Sequence, residues 1–127
     1  MSRVNRLFVE MSRGTLVVDE NLQSIVDELR SCNITVVTPA PGTSDDEIKR
    51  RLLSNRIFVT NNSSDFVYDA SSFVYGIIAT EGVAKEPKGL AKMISSAIIK
   101  FGLWSYPKSF ILRLDKEGNH VITDLSD

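Results

Sequence analysis

The sequence predicts an α/β fold: a three-layer α/β/α sandwich built on a mostly parallel sheet and closed by a C-terminal β-hairpin. Two observations carry this. Short, almost wholly apolar runs ("TLVV", "ITVV", "RIFVT", "FVYGIIAT") read as strands buried on both faces. Stretches with helical spacing separate them, giving the order β-α-β-α-β-α-β-α-β-β, and such alternation implies parallel strands joined by right-handed crossovers.

Each element has its own signal. After "TLVV", Leu22, Ile25, Val26 and Leu29 fall at i, i+3, i+4 and i+7, predicting a helix that Asn33 stops in a left-handed turn. "ITVV" is the second strand, and "TPAPG" is a loop broken by prolines and glycine. "SDDEIKRRLLSN" opens a second helix. Ser44 and Glu47 have capping-box spacing, and Asp45 and Asp46 occupy the first turn. "RIFVT" is the third strand, "NNSSD" is turn chemistry before a short helix through "FVYDA", and "FVYGIIAT" is the fourth strand. "EGVAKEPKG" reads as a loop. Leu90, Met93, Ile94, Ala97, Ile98 and Phe101 then form the clearest helical stripe, ended by Gly102. "SFILRLD" and "HVITDL" flank "KEGN" as the closing hairpin.

The domain boundary falls at residue 14. Residues 1–13 carry Leu7, Phe8 and Met11, enough for one or two amphipathic turns, but also Arg3, Arg6 and Arg13, which suit a mobile arm equally well. Residues 14–127 form a single domain, with no internal repeat, low-complexity tract or linker. A chain of 127 residues, 43% of them hydrophobic, suffices for one modest core.

The bulk numbers exclude several function classes. A net charge of −1 gives no general attraction to nucleic acid, so any such binding needs a local basic patch. One cysteine, Cys32, excludes an internal disulfide and multi-cysteine zinc sites, and one histidine, His120, excludes a His-rich metal site. A metal here would be a hard, oxygen-seeking ion such as Mg²⁺ or Mn²⁺. No apolar run can span a bilayer and the N-terminus lacks a signal-peptide core, so the expected location is cytoplasmic, with no membrane partner.

The acidic residues fall where an open α/β sheet places its ligands, just beyond the carboxyl ends of the strands. Asp19 and Glu20 follow the first strand, and Asp45, Asp46 and Glu47 follow the second. Thr60, Asn61, Asn62 and Asp65 follow the third, and Glu81 the fourth. Converging carboxylates repel one another, and a divalent cation relieves that repulsion. The same acids also sit where a helix N-terminus favours negative charge, which accounts well for Asp45, Asp46 and Glu47 without any metal. For Asp19 the two accounts are balanced.

Lys49, Arg50, Arg51 and Arg56 form a basic stretch near these acids that would suit RNA phosphates, but with Ile48, Leu52 and Leu53 supplying the buried side a solvated helix face accounts for it better. Lys85, Lys88 and Lys92 form a smaller group of the same kind. Trp104 and Tyr106 are expected to plug the core, and Cys32, on the first helix's apolar stripe, to be a buried structural thiol.

"VDENL", then "SDDEI", then "RIFVTNNSSDF" resembles the compact PIN-like, VapC-like ribonucleases, often the toxin half of a toxin–antitoxin pair. The order of the later strand, long helix and terminal strand pair extends the resemblance over about residues 14–125. It implies a PIN-like fold and Mg²⁺- or Mn²⁺-dependent endoribonuclease activity. Asp19, Asp45 and Asp65 would be the catalytic, metal-holding acids. Asn21, Glu47, Thr60 and Asn62 would line the substrate site, with Arg50 and Arg51 as its basic contacts. The implied partners are RNA and an antitoxin or other protein, and a homodimer is left open. The chain departs from the pattern at Asn62, where the family has an acid, and "NNSSDF" is one residue longer than usual. Asn can ligate a metal through its carbonyl but brings no charge. The alternative expectation is therefore a non-catalytic PIN-like protein that acts by protein–protein binding, as an immunity or regulatory factor does.

Overall fold

The computed structural model describes residues 14–83, 86–107, 109–115, 117 and 120–125. The N-terminal segment 1–13 and Lys85 lie outside the described residues. Six strands form one sheet: β1 (Leu16–Val18), β2 (Val36–Val37), β3 (Ile57–Thr60), β4 (Gly76–Gly82), β5 (Phe110–Asp115) and β6 (His120–Asp124). Their order is β2-β1-β3-β4-β5-β6. The first five run parallel, and β6 pairs antiparallel with β5.

Helical segments cover both faces, which is why residues 16–18 of β1, 57–59 of β3 and 77–79 of β4 are apolar at successive positions. On one face, Leu16, Val18, Ile57, Val59, Ile78 and Leu112 pack with helices α1 (Val26–Ser31) and α4 (Pro87–Phe101). On the other, Val17, Phe58, Ile77, Ala79 and Ile111 pack with Ile48, Leu53, Phe66, Ala70 and Tyr75. The apolar stripe of α4 behaves as its spacing predicts: Leu90, Ile94, Ala97 and Ile98 are buried. Gly102 then ends the helix at φ +58°, a left-handed conformation that glycine adopts without steric cost.

The first helix differs from its expected form. Glu20–Ile25 is a 3₁₀ segment with Leu22 outside helical geometry, and only Val26–Ser31 is α-helical. The chain turns immediately after β1, and a 3₁₀ turn is the tighter way to begin. The Asn33 stop is left-handed as expected, at φ 65°. The second helix is also divided, into α2 (Asp45–Glu47) and a π-helical turn over Ile48–Leu52. The wider turn brings residues five apart onto one face, and Ile48 and Leu53 both end buried.

The fourth strand starts three residues later than "FVYGIIAT" suggests and runs on through Glu81 and Gly82. Phe73 instead closes α3 (Ala70–Phe73), and Val74 takes a left-handed φ of 57°. Gly76 opens the strand beneath Phe110. A Cβ there would lie 2.3 Å from Cε2 of that ring, and the ring is itself buried. Gly76→Ala is expected to cost about 1–3 kcal/mol by overpacking, read as a lower urea midpoint. Adding Phe110→Leu should recover part of the loss; no recovery would place the cost elsewhere.

Three side chains are less buried than their sequence positions suggest. Cys32 follows the last turn of α1 and is half-exposed, because the helix ends before the stripe reaches it. Trp104 and Tyr106 are partly buried and pack against the edge of the core. Among the described residues, no helix is long and apolar enough to cross a membrane.

Candidate functional site

The strand order places a switch point at β1. The connection from β1 runs to β2 on one side, while that from its other neighbour, β3, runs to β4 on the other, so the two leave in opposite directions and open a crevice beyond the carboxyl end of β1. Asp19 is the first residue past that end. Its amide donates to Val59 O at 3.0 Å, carrying the β1–β3 pairing one residue further. Its carboxylate is held on both oxygens: Oδ1 accepts from the Glu20 amide at 2.8 Å and Oδ2 from Thr60 Oγ1 at 2.7 Å. Asp19 is therefore both the cap of the following 3₁₀ segment and a fixed carboxylate in the crevice.

Thr60 ends β3 and is fully buried. Its hydroxyl donates to Asp19 and accepts from the Asn62 amide at 2.9 Å, so its orientation is set from two sides. Thr80, at the same sheet edge on β4, donates to Thr60 O at 3.3 Å. The loop after β3 folds back on itself, with Asn62 Nδ2 donating to Asp65 Oδ2 at 2.6 Å. Asn21 reaches the same loop, but its partner is Asn61 Oδ1, at 3.1 Å. A cavity of about 530 Å³ opens beside the crevice between Leu22, Ile25, Asn61, Thr80, Pro87 and Leu90.

The other expected site residues are placed differently. Asp45 and Glu47 are exposed in α2, past the end of β2, and the Glu47 amide takes its cap from Ser44 Oγ at 3.2 Å. Arg50 forms an ion pair with Asp46 at 3.0 Å one turn back, and Arg51 is exposed beside it. Lys49 pairs with Asp69 at 2.8 Å. Much of the basic stretch is thus matched by nearby acids, as on an ordinary solvated helix face.

Two contacts were not evident from sequence. The Ser63 amide and hydroxyl both donate to Glu81 Oε2, at 2.5 and 2.6 Å. An acid at a strand end was visible, but its partner lay in a run of small polar residues with nothing to distinguish Ser63. The second contact is the Tyr75 hydroxyl, which donates to Phe66 O and pins the segment after Asp65.

Burial, helped by the Asp69 charge, pushes the Tyr75 hydroxyl well above its ordinary value near 10. Its ionised form is disfavoured only in the folded state. The stabilisation is therefore complete below pH 10 and lost as pH rises beyond it, by about 1.4 kcal/mol per pH unit for one coupled proton. Tyr75→Phe should flatten the alkaline limb of an unfolding-free-energy profile; an unchanged limb would assign the effect to other groups.

The chemistry of the crevice is oxygen-rich: a carboxylate, a hydroxyl and several carboxamides. Among the described residues, no three His, Cys, Asp or Glu side chains form a group that could hold a metal ion. One fixed carboxylate with neighbouring hydroxyl and carboxamide oxygens is part of a hard cation's shell at most, leaving the remaining positions to water. It does not fit a closed protein cage. Comparisons with protein-family models, curated proteins and solved structures find no match for this chain.

Proposed function

We propose that the chain is a PIN-like, Mg²⁺- or Mn²⁺-dependent endoribonuclease whose site is the crevice beyond β1 and β3. The observation that carries this reading is Asp19: a carboxylate at the switch point, fixed on both oxygens by the Glu20 amide and the Thr60 hydroxyl. Hydrogen-bonded support of this kind is what orients metal-ligating carboxylates. Asp19 would be the carboxylate that meets the ion, with Asn62 as a carbonyl donor and waters and RNA phosphate oxygens completing the shell; Asp65 and Asp45, the further acids that the PIN-like resemblance implies, do not gather with it into a three-acid group among the described residues. A bound divalent ion supplies an activated water and charge neutralisation for phosphodiester hydrolysis. The chain's own part is to hold Asp19 rigid through Thr60 and to present Asn21, Asn61 and Asn62 as polar contacts for RNA. Arg51, exposed near α2, suits a backbone phosphate.

A second reading has its own support. Asn62 stands where the pattern has an acid, and its carboxamide engages Asp65. Glu81 is engaged by Ser63. A PIN-like protein with its acids turned to such bonds would act by binding a protein, as an immunity or regulatory factor does.

The deciding experiment is thermal unfolding of the full chain with and without Mn²⁺, followed by a single-stranded RNA cleavage assay with Mg²⁺, Mn²⁺ or chelator. A Mn²⁺-dependent rise in midpoint together with chelator-sensitive cleavage supports the nuclease. No shift at millimolar Mn²⁺ and no cleavage supports the binding protein.

A further inference from the structure

We propose that Glu81 is a positioning residue of this site, acting through Ser63 to fix the 61–65 loop beside Asp19 and Thr60. The inference rests on reading the crevice as an RNA-cleaving site. Ser63 is buried at the start of a 3₁₀ turn over Ser63–Asp65, and both of its donors converge on one oxygen, Glu81 Oε2. Hydrogen bonds to an ionised acceptor are about twice as strong as neutral ones. The loop carries Asn61, Asn62 and Asp65, so this clasp sets where all three stand relative to the sheet.

The strand is shaped to deliver Glu81. Against β5, Ala79 pairs with Arg113 and Gly82 with Asp115, so three steps along β4 oppose two along its partner. The extra residue is a bulge, a device that re-aims a side chain. Gly82 makes it feasible: a Cβ there would lie 3.0 Å from the backbone oxygen of Leu114. Thr60 holds the near end of the loop through the Asn62 amide and Glu81 holds it one residue on. A loop fixed at adjacent residues from two strands cannot swing away without breaking both.

The test uses the full chain with Glu81→Ala and Glu81→Gln. Mn²⁺ is titrated by thermal shift, and kcat and KM for RNA cleavage are measured where all variants are folded. Amide hydrogen exchange is followed at Asn62 and Ser63. Glu81→Ala is expected to raise the half-saturating Mn²⁺ concentration about tenfold and to lower kcat by about the same factor. Glu81→Gln, which keeps an acceptor oxygen at the same reach, should recover most of both. If Gln is as impaired as Ala while exchange at Asn62 and Ser63 stays as slow as in the wild type, the charge acts otherwise than through the loop and positioning is overturned. It is also overturned if both variants lose only thermal stability and leave Mn²⁺ half-saturation, kcat and KM within twofold. If the wild type neither binds Mn²⁺ nor cleaves RNA, the nuclease reading fails. Exchange then decides the anchoring alone: faster exchange at Asn62 and Ser63 in Glu81→Ala upholds it, and unchanged exchange rejects it.

Discussion

Asp19→Asn is expected to lower RNA cleavage by about 100-fold or more, equivalent to about 2.7 kcal/mol of transition-state stabilisation, while the fold persists. The substitution is isosteric. The Asn oxygen can still accept from the Glu20 amide, and the new NH₂ faces Thr60, whose hydroxyl must then turn and accept. Because Thr60 Oγ1 already accepts from Asn62, the rearrangement weakens one bond and leaves a buried hydroxyl proton short of a partner. That costs about 1 kcal/mol, which a domain of this size tolerates. The charge that attracts a divalent ion is gone. In the wild type, Mn²⁺ at a hundred times its dissociation constant should add about 2.7 kcal/mol of stability by mass action. In Asp19→Asn that increment should vanish. Cleavage that survives the change would place the site elsewhere; a Mn²⁺ shift that survives would assign the ion to other acids.

Phe58→Ala should have the largest effect on stability, about 3–5 kcal/mol. Phe58 is fully buried on β3 and meets Phe66 with ring centroids 4.5 Å apart at 57°. The tilted pair gains contact energy beyond the area it buries. Removing one ring opens a cavity between the sheet and the segment that follows Asp65, and strands on either side hold the sheet too firmly for it to collapse. Domain stabilities are commonly about 5–15 kcal/mol, so the loss should be plain in the urea midpoint. A cost below about 1 kcal/mol would mean the layer can close around the gap.

Much of the fold was legible because its signals are local. Buried strands announce themselves as apolar runs, and α4 as a stripe with a glycine stop. The capping serine at 44 and the left-handed Asn33 were legible for the same reason. The failures share one cause, which is tertiary demand. Phe73 and Val74 look like strand residues, but Gly76 must sit under Phe110, and the chain reaches that point from a helix. The break at Leu22 follows from how abruptly β1 ends, and the π turn from burying both Ile48 and Leu53, which periodicity alone does not reveal. At the site, Asp19 and Thr60 each stand out as polar residues at strand ends, but their hydrogen bond joins residues 41 apart in sequence. The Glu81–Ser63 clasp depends on a bulge whose extra residue appears only once β4 is laid against β5.

The sheet's two edges differ in what they expose to other chains. Among the described residues, β2 forms one edge and is two residues long. An incoming strand finds almost no ladder there to copy, and short edges are one way that β proteins avoid polymerising. The opposite edge, β6, offers five residues. Aggregation by strand addition should therefore be one-sided, spreading from β6 and ending wherever a β2 edge is met.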